Sequence, residues 1–167
     1  MIGVAETARE TVSADALRPK YLEALGLIER LHRRLLDVIK DEFERNGRDD
    51  VNAVQALLLY NIGGRELTAS ELRTRGYYLG SNVSYNVKKL VELGYLHHQR
   101  STVDRRTVRI SLTTKGEEVR SLVDGLYARH LASIDSVGGL GDPELDTLNH
   151  SLTKLERFWT DQILYKL

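Results

Sequence analysis

Apolar residues recur at helical spacing along much of the chain. Spacings of three and four residues predict a long amphipathic helix from about residue 18 to residue 45. Its apolar positions are Ile28, Leu31, Leu35 and Val38. Residues 1–17 lack this periodicity, and we expect them to form an N-terminal arm.

Two shorter helices follow, and side-chain caps predict where each begins. Asn52, with Gln55 three residues later, predicts the start of the buried helix AVQALLLYNI, which a pair of glycines ends. Thr68 and Glu71 have the same spacing and predict a second helix, which runs to about residue 75.

The segment GSNVSYNVKKLVELGYL, residues 80–96, predicts a third helix with a polar N-terminal end. Short polar side chains are poor helix formers, so helix stability alone does not explain them. The apolar positions fall on one face: Val83, Val87, Leu90 and Val91. The polar positions fall mostly on the other: Asn82, Ser84, Tyr85, Asn86, Lys88 and Lys89.

The hydrophobic period changes from helical to two after Gly94. Residues 107–112, TVRISL, alternate polar and apolar side chains, which predicts a half-buried strand. Residues 95–100 can pair with it as the other arm of a hairpin. The hairpin then has a polar tip at 101–106.

Two long helices are predicted after the hairpin. The first begins at a capping box formed by Thr114 and Glu117 and continues to the glycines at 138–139, and the second begins at Asp142. Apolar residues of the second helix recur at spacings of three and four: Leu145, Leu148, Leu152, Leu155 and Trp159. This pattern is typical of a coiled-coil seam, which a small monomer covers poorly, so we expect a helical partner.

Composition and charge narrow the classes of protein. The 167 residues include no cysteine, which excludes disulfides and thiolate metal sites. No long apolar run is present, so we expect a cytoplasmic protein with no membrane partner. The net charge is zero, yet residues 65–115 carry ten Lys and Arg against four acidic residues. A basic middle suits a nucleic-acid partner, although charge alone fits an ordinary solvated surface equally well.

A short helix, a turn, a helix with a polar front and a hairpin together predict a winged helix-turn-helix. The second helix of such a unit enters the major groove of double-stranded DNA, where Asn and Ser read base edges and Lys binds phosphates. We expect the hairpin to place an arginine in the minor groove, and Asp104 to orient that guanidinium. The predicted DNA-binding residues are Thr68, Arg73, Arg75, Ser81, Asn82, Ser84, Tyr85, Asn86, Lys88, Lys89, Arg100, Asp104, Arg105 and Arg106.

Residues 66–119 resemble the winged helix-turn-helix core of the MarR family of bacterial transcription regulators. The most specific matches are Asp104-Arg105-Arg106, Ser111-Leu112-Thr113 and Lys115-Gly116. Two positions depart from the family pattern: Tyr85 lies where Arg is common, and Asn86 where an aliphatic residue is common, so base contacts do not carry over directly. The run SNVSYNVKKL further resembles an alphaproteobacterial branch tied to L,D-transpeptidase and cell-envelope stress genes.

The resemblance implies an obligate homodimer, sealed by the first and last two helices, that binds a pseudo-palindromic operator, most commonly as a repressor. It also implies a small aromatic or acidic effector, bound between the dimer helices and the winged lobe. Four helix residues are candidates for that site, but each is better explained by ordinary packing or exposure, so none is assigned: His32, Arg33, Tyr60 and His130. The predicted dimer interface contains Ile28, Leu145, Leu148, Leu152, Leu155 and Trp159.

The sequence therefore predicts a mainly α fold with a small β-hairpin wing. We expect an N-terminal arm at 1–17, a helical dimerisation region at 18–47 and 114–167, and a winged helix-turn-helix lobe at 48–113. The sequence contains no motif of an enzyme, and neither a cofactor nor a metal is predicted. The alternative function is a helical dimer whose winged lobe holds a protein instead of DNA. Steep loss of binding with salt would identify DNA as the partner.

Overall fold

The computed structural model describes residues 13–74, 80–104 and 106–166, apart from the side chains of Arg73 and Ser81. The described residues are mainly helical with one small sheet, which confirms the predicted fold class. The chain divides into two compact units, one ending at Leu57 and the other beginning at Leu58. In chain order the elements are α1 (Ala14–Arg45), α2 (Ala53–Ile62), β1 (Leu67–Thr68), α3 (Ala69–Thr74), α4 (Gly80–Glu92), β2 (Leu96–Arg100), β3 (Val108–Leu112), α5 (Thr114–Leu131) and α6 (Asp142–Tyr165).

The long helix α1 is the main element of the first unit. It begins at Ala14, earlier than the predicted start near residue 18, because the hydroxyl of Ser13 accepts the backbone N–H of Ala16 at 3.3 Å. Residues 14–17, predicted as part of the arm, are therefore helical, while residues 1–12 lie outside the described range. Large apolar side chains of α1 are exposed: Leu17, Tyr21, Leu22, Leu27, Leu31 and Leu35.

Both predicted capping boxes at the starts of α2 and α3 are present. The side-chain oxygen of Asn52 accepts the N–H of Gln55 at 2.8 Å, and the side-chain oxygen of Gln55 accepts the N–H of Asn52 at 3.1 Å. Thr68 and Glu71 form the same reciprocal pair, at 3.1 and 2.7 Å. These caps satisfy N–H groups that have no partner within the helix, and they confirm both predicted starts.

The three strands form one antiparallel sheet in the order β1-β3-β2. The predicted hairpin is confirmed, with β2 and β3 in a register that pairs Leu96 with Leu112 and Arg100 with Val108. The sequence did not predict β1, which pairs Leu67 with Ile110. A strand of two residues is too short to show any hydrophobic period.

Helix α4 packs against α3 and β2, and α5 packs against β3, so the sheet lies between helices in the core of the second unit. Val83 and Val87 on α4 are buried, as predicted from their spacing. The largest fully buried side chain is that of Tyr95, directly after the turn that ends α4. Other fully buried side chains of the second unit include Leu90, Ile110, Val119 and Val123.

The last two helices begin and end at residues other than those predicted. The cap of α5 is Thr113, whose hydroxyl accepts the N–H of Gly116 at 3.1 Å, rather than Thr114. α5 ends at Leu131, before the predicted glycines, since the following Ser, Ile, Asp and Val residues favour helix weakly and 132–138 form turns. The cap of α6 is Gly141, whose N–H is accepted by the Glu144 carboxylate at 3.0 Å.

Helix α6 carries the predicted apolar seam, and none of its described residues, 142–165, is buried. Leu148 and Leu152 are 41% and 42% exposed, and Leu145, Leu155 and Trp159 are half-buried. Phe158, Ile163, Leu164 and Tyr165 add further exposed apolar surface. The helix therefore buries little apolar area within a single chain.

Candidate nucleic-acid interface

The outer face of α4 is polar and exposed because its apolar stripe is buried in the core. Burial of Val83 and Val87 fixes the rotation of the helix, and this rotation leaves Tyr85 67% exposed. The remaining outer residues are exposed except for Asn86, which is half-buried: Asn82, Ser84, Lys88 and Lys89. This face combines amide, hydroxyl, phenol and ammonium groups, which are the groups that bind base edges and phosphates.

Asn86 is less available than the sequence suggests. Its side-chain amide donates to the backbone carbonyl of Asn82 at 2.8 Å, four residues earlier in the helix. This local bond uses one of its two N–H donors. The exposed Asn82 is therefore better placed than Asn86 to reach a base edge.

The wing, defined as β2, β3 and the connection between them, has a tip ordered by short polar side chains. The hydroxyl of Ser101 accepts the N–H groups of Val103 and Asp104, each at 3.2 Å. The Asp104 carboxylate accepts the backbone N–H of Arg106 at 3.0 Å and the hydroxyl of Thr107 at 3.1 Å. Sequence reasoning missed the roles of Ser101 and Thr107, although small hydroxyl residues flanking Asp are a common turn signal.

These hydrogen bonds show that Asp104 stabilises the turn at the tip of the wing. Both carboxylate oxygens accept hydrogen bonds from the tip itself, and the neighbouring Arg105 lies outside the described residues. Arg100 and Arg106 are exposed at either side of the tip. Arg109 lies farther along β3 and pairs with Glu66 at 3.7 Å, with both side chains about half exposed to solvent.

The predicted DNA-binding residues near α3 are described only in part. Thr68 is half-buried and its hydroxyl caps α3 by accepting the N–H of Glu71. Arg75, with the side chains of Arg73 and Ser81, lies outside the described residues. The described candidates on α4 and the wing all belong to the second compact unit.

Lys115, which the sequence counts among the basic residues of this region, contacts the turn after α4. Its Nζ donates to the carbonyl oxygen of Leu93 at 3.0 Å and lies 4.3 Å from the centroid of the Tyr95 ring. Thr113 contacts the same turn, with its hydroxyl donating to the carbonyl oxygen of Gly94 at 2.7 Å. Spacing along the chain does not reveal these contacts, which join residues about twenty positions apart.

A groove of about 520 Å³ runs along the side of α4 that faces the sheet. Its floor is apolar and includes Val87 and Ile110. Lys88, Glu92 and His98 line its rim, so both signs of charge are available there. The size and the apolar floor suit a small organic molecule.

The structure describes all four candidate effector residues. His32, Arg33 and His130 are exposed. Tyr60 is half-buried and packs edge-to-face against Tyr127, with ring centroids 5.0 Å apart. Burial, and to a lesser degree the neighbouring Tyr60, raises the pKa of the Tyr127 phenol above its ordinary value of 10.0.

The described part of the chain shows no cluster of metal ligands. Its histidine and carboxylate side chains do not gather in threes as a bound metal ion would need. Every described helix is too short or too polar to span a membrane.

Comparison with known sequences identifies the lobe. Residues 51–116 match the family described as a winged helix DNA-binding domain. The exopolysaccharide II synthesis transcriptional activator ExpG of Rhizobium meliloti (strain 1021) is 34% identical over 149 residues, which are 87% of this chain and 74% of that protein.

Solved structures share the fold. A mutant MarR from E. coli complexed with operator DNA has a TM-score of 0.66 at 20% identity and covers 81% of this chain and 95% of its own. Streptococcus pneumoniae FabT in complex with DNA has a TM-score of 0.63 at 22% identity and covers 84% and 98%. The shared fold and the similarity to ExpG show that the chain belongs to the MarR-type winged-helix family of DNA-binding transcriptional regulators, which are not enzymes.

Proposed function

We propose that this protein is a homodimeric, sequence-specific regulator that places α4 in the major groove of a pseudo-palindromic operator and the wing on the adjacent minor groove. The observation that carries the proposal is the exposed outer face of α4, where Asn82, Tyr85 and Lys89 recur at spacings of three and four residues. One helix face then offers groups for both bases and phosphates. We assign the DNA contacts to the predicted residues on α4 and the wing.

Dimerisation through the helices outside the lobe is supported by apolar surface left exposed in a single chain. On α6 this surface includes Leu148 and Leu152, and on α1 it includes Leu27 and Leu31. Burial of such a face against a second copy is the simplest way to remove it from water. The proposed division of the chain remains an arm at 1–17, a dimerisation region at 18–47 and 114–167, and a DNA-binding lobe at 48–113.

A small aromatic or acidic effector is part of the proposal. The groove beside α4 supports it, because an apolar floor suits an aromatic ring and Lys88 at the rim suits a carboxylate. A ligand there would contact the helix that reads DNA, and would weaken operator binding if it fits the unbound form better.

The genes we propose as targets are those of envelope polysaccharide synthesis. ExpG carries the name of an exopolysaccharide synthesis activator. The family resemblance instead favours repression relieved by the effector, and the position of the operator relative to the promoter would decide between the two outcomes. A regulator of chromosomal genes acts in the cytoplasm, which is the compartment we propose.

The test is selection of fragments of the source genome by the purified protein, at low and at moderate salt. Enrichment of a short inverted repeat that is lost at moderate salt supports an operator-binding dimer, because phosphate contacts release counterions. A variant with Lys88 and Lys89 changed to Met is expected to enrich it poorly, whereas the matched control Lys154→Met on α6 is expected to match the wild type. Absence of enrichment at both salt concentrations would favour the protein-binding alternative.

A further inference from the structure

Five residues join the turn after α4 to the start of α5. We call Leu93, Gly94, Tyr95, Thr113 and Lys115 the α4–α5 latch. On one side of it, the Lys115 ammonium donates to the Leu93 carbonyl at 3.0 Å and lies 4.3 Å from the centroid of the Tyr95 ring. These two contacts together direct the only cationic group of the latch toward the turn.

The other side of the latch is built from Thr113. Its hydroxyl donates to the Gly94 carbonyl at 2.7 Å and accepts the Gly116 N–H at 3.1 Å, so one side chain caps α5 and holds the turn. Its backbone N–H donates to the Tyr95 carbonyl at 3.1 Å. The latch thus contains three hydrogen bonds that cross between the turn and the residues around the start of α5.

The external partners bind carbonyl groups at the end of α4. Carbonyl groups at the C-terminal end of a helix lack partners within the helix, and Leu93 and Gly94 directly follow the end of α4. Gly94 has a φ of +82°, a left-handed conformation typical of a helix C-terminus. Lys115 and Thr113 bind both carbonyls, so residues around the start of α5 hold the turn in which α4 ends.

We propose that Lys115 is a positioning residue for DNA binding, which sets the direction of α4 relative to α5 through the latch. This inference rests on the proposed function, since α5 belongs to the proposed dimerisation region and α4 is the proposed recognition helix. In such a dimer the latch determines the distance between the two recognition helices, and therefore the half-site spacing that the protein prefers. Lys115 then affects operator choice through the turn, without a phosphate contact of its own.

The test compares Lys115→Met with Lys89→Met, an exposed lysine on the outer face of α4. Operator affinity is measured over a salt series, on the selected repeat and on versions with the half-sites one base pair closer or farther apart. Lys115→Met is expected to bind the selected repeat about fivefold more weakly, with an unchanged salt slope and a reduced preference for the original spacing. Lys89→Met is expected to lower the salt slope by about one and keep the spacing preference.

A measurement without DNA accompanies this comparison. Amide hydrogen exchange at Tyr95 and Thr113 is expected to be about fivefold faster in Lys115→Met, because both N–H groups belong to latch residues. Lys115→Arg retains a cation and donors, and it is expected to restore part of the spacing preference. Loss of folded protein alone would reduce binding to all three operators by the same factor.

Two results would overturn the proposal. A salt slope lowered by about one in Lys115→Met, with unchanged exchange, would make Lys115 a phosphate contact. Faster exchange with an unchanged spacing preference would make the latch a stabilising contact without influence on operator choice. If the wild type binds no genomic fragment, the proposed function fails and the positioning role fails with it, while the exchange rates still decide whether Lys115 holds the turn.

Discussion

Gly116 lies so close to the carbonyl oxygen of Tyr95 that a Cβ at position 116 would collide with it. Since that oxygen belongs to backbone held in the core, we predict that Gly116→Ala lowers the free energy of unfolding by about 1–3 kcal/mol. Gly125 is the matched control in the same helix, where a Cβ would meet Arg129 Nη1 at an ordinary 3.8 Å. Gly125→Ala is expected to raise stability by up to about 1 kcal/mol. Urea unfolding of both variants measures the difference, and equal shifts would contradict the close approach.

The wing provides a second prediction. Arg106 is exposed at the tip, so Arg106→Ala is expected to lower operator affinity about tenfold and the salt slope by about one. The oligomeric state is expected to remain unchanged, because the substitution lies outside the proposed dimer helices. Fluorescence anisotropy with labelled operator over a salt series measures both quantities. If Arg106→Ala binds the operator as tightly as the wild type, Arg106 at the wing tip does not contribute to DNA binding.

Asp104 offers a test in which two effects have opposite signs. Removal of a negative charge near DNA would raise affinity, whereas loss of the bonds to the Arg106 N–H and the Thr107 hydroxyl would disorder the tip. We expect the structural effect to be larger, so that Asp104→Ala weakens operator binding about tenfold. Asp104→Asn keeps one acceptor oxygen, and its operator affinity is expected to lie between those of the wild type and Asp104→Ala. Tighter binding by both variants would show that electrostatic repulsion dominates.

The proposed dimer interface predicts monomers when its seam is charged. Leu152 is 42% exposed in the single chain, and a charge there would be buried in the proposed seam, so Leu152→Asp is expected to give monomeric or insoluble protein. Thr153→Asp introduces the same charge one residue later and is expected to remain dimeric. Sedimentation equilibrium at micromolar concentration distinguishes these outcomes, and a stable dimer of Leu152→Asp would place the interface elsewhere.

Tyr127 makes stability depend on pH in the alkaline range. Its pKa in the folded protein is raised above 10.0, chiefly by burial, so the folded state holds the phenolic proton more tightly than the unfolded state. The resulting stability is present below the unfolded pKa and is lost as pH rises through the folded pKa. Tyr127→Phe is therefore expected to lose less stability than the wild type as the pH rises above 10.0. Identical pH profiles from urea unfolding would contradict this assignment.

The elements predicted correctly are those whose residues carry their own signal. The spacing of Val83 and Val87 gives the buried face of α4, and the alternation around Ile110 gives β3. Asn52 and Thr68 predict the starts of two helices because their capping partners lie only three residues away in the sequence.

The elements predicted wrongly, or missed, depend on contacts between distant residues or on neighbours that compete. Thr113 and Thr114 are both capable caps, and the contact of Thr113 with Gly94 favours Thr113. In the sequence, Lys115 is indistinguishable from other surface lysines, because its contact with the Leu93 carbonyl joins residues that are distant along the chain. Strand β1 is defined by its pairing with β3, in which Leu67 lies opposite Ile110.

The absence of buried residues in the described span of α6 has a consequence for gene dosage. A helix that gains little from its own chain is stable mainly when a second chain covers it, so folding of α6 and pairing would be coupled. Newly made subunits at low copy number would then be exposed to proteolysis, and operator occupancy would rise more steeply than in proportion to synthesis. In the proposed dimer, the same exposed leucines would thus give the cell a threshold in its response.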